Sequence, residues 1–280
     1  MYGTDIHEFI RLALEEDLGD GDHTSLSTIP AEAQNRAKLL VKEDGLVAGV
    51  ELATLIFAQV DADLQVDVLI QDGTFIKKGD IVLTVAGRAQ SILKAERLVL
   101  NCMQRMSGIA TYTNKMVRLL DGLPTKLLDT RKTTPNFRIC EKWATRIGGA
   151  VNHRYALYDM ILIKDNHVDY AGGIEAAITK ANQYLQQTGR NLPIEIEVRN
   201  LDELEQALQV GQIQRIMLDN FNFENLREAV RRIGNRYPTE ASGGINETTI
   251  RQYAECGVDY VSVGALTHHV SSLDLSLKAY

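Results

Sequence analysis

Residues 194–220 read IEIEVRNLDELEQALQVGQIQRIMLDN. Two short apolar runs, IEIEV and QRIMLD, flank a segment at 201–210 whose apolar positions recur at helical spacing. Strand, helix, strand is the repeating unit of a parallel sheet, whose strands are buried on both faces and read as nearly continuous hydrophobic runs. The same rhythm extends in both directions. Further strand-like runs fall at TKLLD (125–129), MILIK (160–164), PTEAS (238–242) and YVSVG (260–264), with helical patterns at 138–147, 171–187, 222–233 and 246–256. Asp129, Lys164, Glu197, Asp219, Ser242 and Gly264 each stand at or just after the end of a strand. Chemistry at many strand ends favours the shared mouth of a β/α barrel over a doubly wound sheet, whose ligand sits at one switch point. Six or seven strands are expected, too few for a confident closed barrel.

Upstream the style differs. Apolar positions at helical spacing run from Thr4 to Leu18 and stop at the polar cluster GDGDHTS. Short strands are expected at 36–43, 46–50, 64–70 and 81–85, with a helix at 51–59, which together make a small α/β domain. The piece QDGTFIKKGDIVLTVAG is superficially similar to the hairpins of biotin- and lipoyl-carrying domains, but it lacks the turn that presents a modifiable lysine. Residues 91–120 are helical in period, interrupted only by Gly108, and suit one or two bridging helices.

Composition narrows the function. The chain has 280 residues, 45% hydrophobic and 24% charged, with a formal net charge of -7. This is enough material for an enzyme, and the acidity argues against nucleic acid as a general partner without excluding a local basic pocket. The three cysteines, Cys102, Cys140 and Cys256, are odd in number and widely spaced, so they read as buried small hydrophobes in a reducing compartment. No signal-peptide pattern and no apolar run of membrane-spanning length occurs, which suggests a cytoplasmic protein with no membrane partner.

Basic residues concentrate around the first two barrel strands: Arg131, Lys132 and Arg138 in RKTTPNFR, His153 and Arg154 in NHR, Lys164 and His167 in KDNH. Any one of them has a bland account as a solvated cation or a satisfied histidine. Together at one barrel end they describe a pocket for a polyanion, because arginine forks suit planar carboxylates and phosphates. Glu197 and Asp219 oppose the trend, with Glu195 deeper on the same face as Glu197. Two carboxylates at adjacent strand ends suit Mg²⁺, a hard ion bound through oxygen and commonly shared with substrate phosphates. The glycines of EASGGI and YVSVG let backbone N–H groups approach an anion, in the loops where barrels often bind phosphate.

The strings LLDTRKTTPNFR, EKWATRIGGAVNHRYALYDMILIKDNH, IEIEVRN, IMLDN and EASGGI, in this order, resemble the quinolinate phosphoribosyltransferase family over essentially the full chain. The resemblance implies an incomplete, open β/α barrel at 111–268, an N-terminal α/β sandwich at 1–110, and a segment at 269–280 returning to the sandwich. It implies the reaction of quinolinate with phosphoribosyl pyrophosphate to nicotinate mononucleotide, pyrophosphate and CO₂, and a homodimer with shared active sites or a hexamer. Quinolinate would be held by Arg131, His153, Arg154 and Lys164, with Arg105 from the partner subunit. Lys132 would lie between the substrates as a catalytic residue. Glu197 and Asp219 would serve Mg²⁺ and the ribose hydroxyls, while Ser242, Gly243, Gly244, Gly264 and His268 would surround the 5′-phosphate. Asn136, Phe137 and Ala150 depart from the family's usual residues and bear on loop shape. The alternatives are a same-fold relative using another acceptor, which the basic group also fits, and a sugar-phosphate aldolase or isomerase, which leaves Arg131, His153 and Arg154 idle.

Overall fold

The computed structural model describes residues 5–280. Its chain divides into two compact units. The first takes residues up to Asn114 with Thr133–Gly149 and Leu266–Tyr280, and the second takes Lys115–Lys132 and Ala150–Ala265. The chain therefore changes unit more often than a continuous 111–268 segment would.

Helix α1 (Ile6–Leu18) starts where the Asp5 side chain accepts from the His7 N–H at 3.0 Å; Thr4 lies outside the described residues. The polar cluster that closes α1 contains a helical turn of its own, α2 (His23–Thr28), because Asp22 caps the N–H of Ser25. There follow β1 (Gln34–Val41), β2 (Gly45–Leu46), α3 (Val50–Val60), β3 (Gln65–Val68), β4 (Phe75–Ile76), β5 (Ile81–Arg88) and α4 (Ala89–Arg118). Strand β4 pairs with β2, and its two residues are too short a run to show as alternation in sequence. Alternation along β1 buries Ala37, Leu39 and Val41 against a core that includes Leu52, Ile56 and Phe57 of α3.

Helix α4 is one helix of 30 residues, not two. It buries Ile92, Ala95, Val99, Met103 and Met106, at spacings of three and four, in the same core. Gly108 does not break it. A Cβ there would lie 2.1 Å from the carbonyl oxygen of Ser271, so the glycine marks where the C-terminal segment crosses the helix. That crossing is stitched by Leu273 N–H to the Gln104 carbonyl at 3.0 Å and by Gln104 Nε2 to the Leu275 carbonyl at 2.9 Å.

The second unit opens with β6 (Lys126–Leu128); α5 (Arg138–Ile147), next in the chain, belongs to the first unit. Then come β7 (Ile161–Ile163), α6 (Asp165–Ala171), α7 (Ile174–Thr188), β8 (Ile194–Val198), α8 (Leu201–Val210), β9 (Arg215–Asp219), α9 (Phe223–Ile233), β10 (Thr239–Ser242), α10 (Ile250–Ala254) and β11 (Tyr260–Ser262). The helix expected at 171–187 is α7, and its start moves to Ile174 because Gly172 and Gly173, with φ of +97° and +119°, end α6 and open the turn between the two. The strands form a parallel sheet in the order β6-β11-β10-β9-β8-β7. Strands β6 and β7 occupy opposite edges, and a single parallel bridge, Leu128 to Val151, extends the β6 edge. The result is an open β/α barrel of six strands.

The chain then passes through α11 (Ala265–His268) to β12 (Leu275–Ala279), which pairs antiparallel with β1 from Ala37–Ala279 to Val41–Leu275. The first unit's main sheet thus runs β12-β1-β5-β3. No described helix is long and apolar enough to cross a membrane.

One ion pair ties the first unit's sheet to α3. Asp61, buried just after α3, accepts from Arg88 Nε at 2.7 Å and Nη2 at 2.6 Å, and the Arg88 fork, with a Ser91 contact, holds its carboxyl well below the usual carboxylate range. A lowered folded value means stability that is present above the ordinary value near 3.8 and lost as pH falls toward the folded one. Asp61→Asn should therefore destabilise the protein by about 1–2 kcal/mol at neutral pH, at the low end for charge-assisted bonds because Arg88 is half exposed. In urea unfolding the gap to wild type should narrow between about pH 5 and pH 2; a gap independent of pH would show that the pair contributes through packing alone.

A cationic cavity at the strand ends as candidate active site

The open barrel carries a cavity of about 320 Å³ at the C-terminal ends of its strands. Arg131, Lys132, His153, Arg154, Lys164 and Ser242 all line it. Each is placed by its strand: Arg131 and Lys132 follow β6, Lys164 follows β7, Ser242 ends β10, and His153 and Arg154 come just after the bridge at Val151. The loop bearing the histidine is clamped by Asp129, fully buried, whose carboxylate accepts from the His153 N–H at 2.8 Å and from Asn152 Nδ2 at 2.6 Å. Asp159 closes the next turn by accepting from the N–H groups of Tyr155 and Ala156. Burial and the neighbouring Arg131 push Arg154 below its usual value, which is the electrostatic mark of cations gathered for an anion. The Nε of Arg131 is buried with no hydrogen-bond partner, a donor suited to a ligand.

Glu197 is buried at the end of β8 and receives Lys164 Nζ at 3.0 Å. Asp219, half-buried at the end of β9, stands beside Ser242 in register and accepts from Asn220 Nδ2 at 2.6 Å. Asn220 is left-handed, with φ of 56°, and its N–H donates to the Ser242 carbonyl at 2.9 Å. Its Oδ1 occupies the space next to Gly243, where a Cβ would lie 2.2 Å away. One asparagine therefore joins the acidic strand end to the glycine loop of Gly243 and Gly244. Gly264 follows β11.

Other expected residues do not line this cavity. Arg105 and His268 belong to the first unit. Arg105 donates to the buried Glu141 at 3.1 Å, to the Val270 carbonyl at 2.8 Å and to the Thr267 carbonyl, while His268 contacts His269. Arg138, grouped in sequence with the basic cluster, also lies in the first unit, at the start of α5, and donates to Thr133. His167 is a capping residue: its Nδ1 accepts from the Lys164 N–H at 3.0 Å at the start of α6. Asn136, with φ of 62°, is a left-handed turn residue before α5, next to Phe137, and Ala150 is buried.

Under the cavity lies a group that sequence reading did not assemble. His153 Nε2 is 3.0 Å from Glu195 and 3.2 Å from Glu240, both fully buried, and Arg215 Nη1 is 3.4 Å from Glu240 and 3.9 Å from Glu195. Burial alone would push the histidine down, but the two carboxylates outweigh it and raise the imidazole to about 9. Burial, with the Glu240 charge, raises Glu195, while the His153 contact outweighs burial and lowers Glu240. Ligand atoms of His153, Glu195 and Glu240 lie within 4.8 Å of one another, close enough to chelate a divalent ion. Glu240 in PTEAS shares a strand face with Ser242, two residues on, a period that could have signalled it.

Known proteins match this architecture throughout. Residues 109–278 match the family model of the quinolinate phosphoribosyl transferase C-terminal domain, and residues 22–107 that of its N-terminal domain. The chain is 44% identical to quinolinate phosphoribosyltransferase [decarboxylating] 2, mitochondrial, of Nicotiana glauca, covering 98% of this chain and 82% of that protein. It is 41% identical to the probable nicotinate-nucleotide pyrophosphorylase [carboxylating] of Bacillus subtilis, covering 94% and 89%. The crystal structure of NadC from Streptococcus pyogenes superposes with a TM-score of 0.91 at 37% identity, covering 99% of this chain and 98% of that one. The open barrel with its cationic cavity is thus that of an enzyme, a pentosyltransferase. The chain belongs to the quinolinate phosphoribosyltransferase family.

The Asn220 link can be tested directly. A methyl group at Gly243, where φ is +99°, would displace Asn220 from Asp219. Gly243→Ala should cost about 1–3 kcal/mol of stability from strain and overpacking, read as a lowered midpoint in thermal unfolding; an unchanged midpoint would mean the loop relaxes freely.

Proposed function

We propose that this enzyme takes quinolinate and phosphoribosyl pyrophosphate and forms nicotinate mononucleotide, releasing pyrophosphate and CO₂, in de novo NAD biosynthesis. The observation that carries this reading is the cavity in which Arg131, Arg154, Lys132, Lys164 and His153 converge. Five basic groups suit a pyridine bearing two adjacent carboxylates better than any singly charged acceptor.

In this reading Arg131, His153, Arg154 and Lys164 hold the two carboxylates and aim the ring nitrogen at the anomeric carbon. Lys132 lies between the two substrates and meets the charge that builds on the departing pyrophosphate. Glu197 and Asp219 face the ribose, where positive character spreads as the bond to pyrophosphate breaks. Ser242, Gly243, Gly244 and Gly264 take the 5′-phosphate. Holding both substrates in line is the main contribution, since no covalent bond to the enzyme is required. After N-alkylation the 2-carboxylate leaves as CO₂, because the pyridinium nitrogen stabilises the carbanion that a proton then quenches.

Two carboxylates ending the adjacent strands β8 and β9 are hard oxygen donors that fit Mg²⁺, and Glu197 and Asp219 would hold it. When bound, the ion would neutralise pyrophosphate oxygens. The subunits would form a homodimer, or a hexamer, and the protein would work in the cytoplasm. Arg105 would serve the partner's site: its Nε, Nη1 and Nη2 contacts leave one Nη1 hydrogen for a ligand.

Two experiments follow. Quinolinate should be turned over with release of CO₂ and pyrophosphate, whereas nicotinate should show kcat/KM lower by about tenfold or more, because each uncompensated charge contact costs about 1.5–3 kcal/mol. Equal efficiency on both acids would sink the assignment. Arg105→Ala and Lys132→Ala chains should each be nearly inactive, yet a purified heterodimer of the two should recover up to roughly half of wild-type activity, since one site then keeps both groups. A folded heterodimer no better than its parents would place Arg105 in its own subunit's site or in none.

A further inference from the structure

We infer that Glu195, Glu240 and Arg215 are positioning residues that act through His153, keeping its Nε2 as a donor directed into the barrel interior and its ring at one orientation in the cavity. The inference rests on the reading of that cavity as the quinolinate site.

Successive strands supply the parts. Glu195 comes from β8, Arg215 from β9 in register with it, and Glu240 from β10. Ser262 of β11 bonds to Glu240, and the Arg215 guanidinium stacks on the Tyr260 ring of the same strand at 4.5 Å. Both carboxylates are fully buried and both meet the same imidazole nitrogen. An arrangement serving stability alone would not need them, because a buried ionic group is often no more stable than apolar residues of the same volume. The ring is gripped on its other sides as well: Arg154 N–H lies 2.7 Å from Nδ1, and Asp129 holds the His153 N–H. With Nδ1 facing an N–H donor and Nε2 facing two carboxylates, the neutral ring has one favourable tautomer, Nε2–H. Protonation of the ring keeps that Nε2 proton in place. The cavity therefore meets its ligand with the imidazole already set, and none of the binding energy goes to turning it.

The experiment combines kinetics with spectroscopy. Glu240→Gln and Glu195→Gln should each raise the KM for quinolinate by about tenfold, with the KM for phosphoribosyl pyrophosphate within about twofold of wild type. In a His153→Ala background the further effect of Glu240→Gln on the quinolinate KM should fall below about twofold, because groups that act through one residue are not additive with its loss. In wild-type protein labelled with ¹⁵N-histidine, the His153 signal, assigned by its absence in His153→Gln, should show a protonated Nε2 from about pH 6 to pH 9. Wild-type protein that does not turn over quinolinate removes the parent reading, and this one with it. Wild-type turnover combined with an unchanged quinolinate KM in Glu240→Gln, or an undiminished effect in the His153→Ala background, overturns this inference alone. Should the glutamine variants fail to fold, the wild-type spectrum decides: a bare Nε2 with the proton on Nδ1 refutes it.

Discussion

Carboxylates sealed inside a barrel persist only where cations meet them at hydrogen-bond distance, and much of the second unit is arranged around that constraint. Glu195 and Glu240 have no access to solvent. An isolated carboxylate in that position would neutralise itself rather than remain charged. Here Arg215 reaches them from the intervening strand and His153 from the cavity. The parallel register of β8, β9 and β10 makes this possible, because a slip of one residue would turn each of these side chains from the lumen to the helix layer.

Charge in the barrel is therefore layered. Glu195 and Glu240 lie deep with Arg215, and the cluster of Arg131, Lys132, Arg154 and Lys164 lies above them at the strand ends. Placing Arg131, Arg154 and Lys164 close together is unfavourable by itself, and Glu195 lessens the cost for Arg154 just as Glu197 does for Lys164. A rim built this way is ready for a polyanion before one arrives.

Much of this was legible in the sequence, for identifiable reasons. Buried parallel strands are compact apolar runs, so IEIEV and QRIMLD declared themselves, and a polar residue closing such a run had to stand at a strand end. Lys164 and Ser242 stand out in that way, Arg131, Lys132, His153 and Arg154 through the concentration of basic residues around the first two strands, and all six share one cavity. Glu240 and Arg215 were passed over because a charged residue inside a short strand reads as solvent-facing until the lumen that encloses it is known. Arg138 and His167 were drawn into the cluster by proximity in sequence, whereas turning at the start of a helix sends one to Thr133 and makes the other a cap. Helix α2 was hidden because a single turn capped by Asp22 is too short to display a period.

The pairing of β12 with β1 has a consequence for how the chain comes off the ribosome. Strand β1 ends at Val41 and its edge partner begins at Leu275. At about 5–20 residues per second, synthesis leaves the open edge of β1 without its neighbour while the whole barrel is being made. An unpaired strand edge is a template for pairing with another chain. The nascent protein is thus open to misassembly while the barrel is being made, and Gly108, over which the segment at Ser271 must pass, receives its cover only after the barrel has been synthesised.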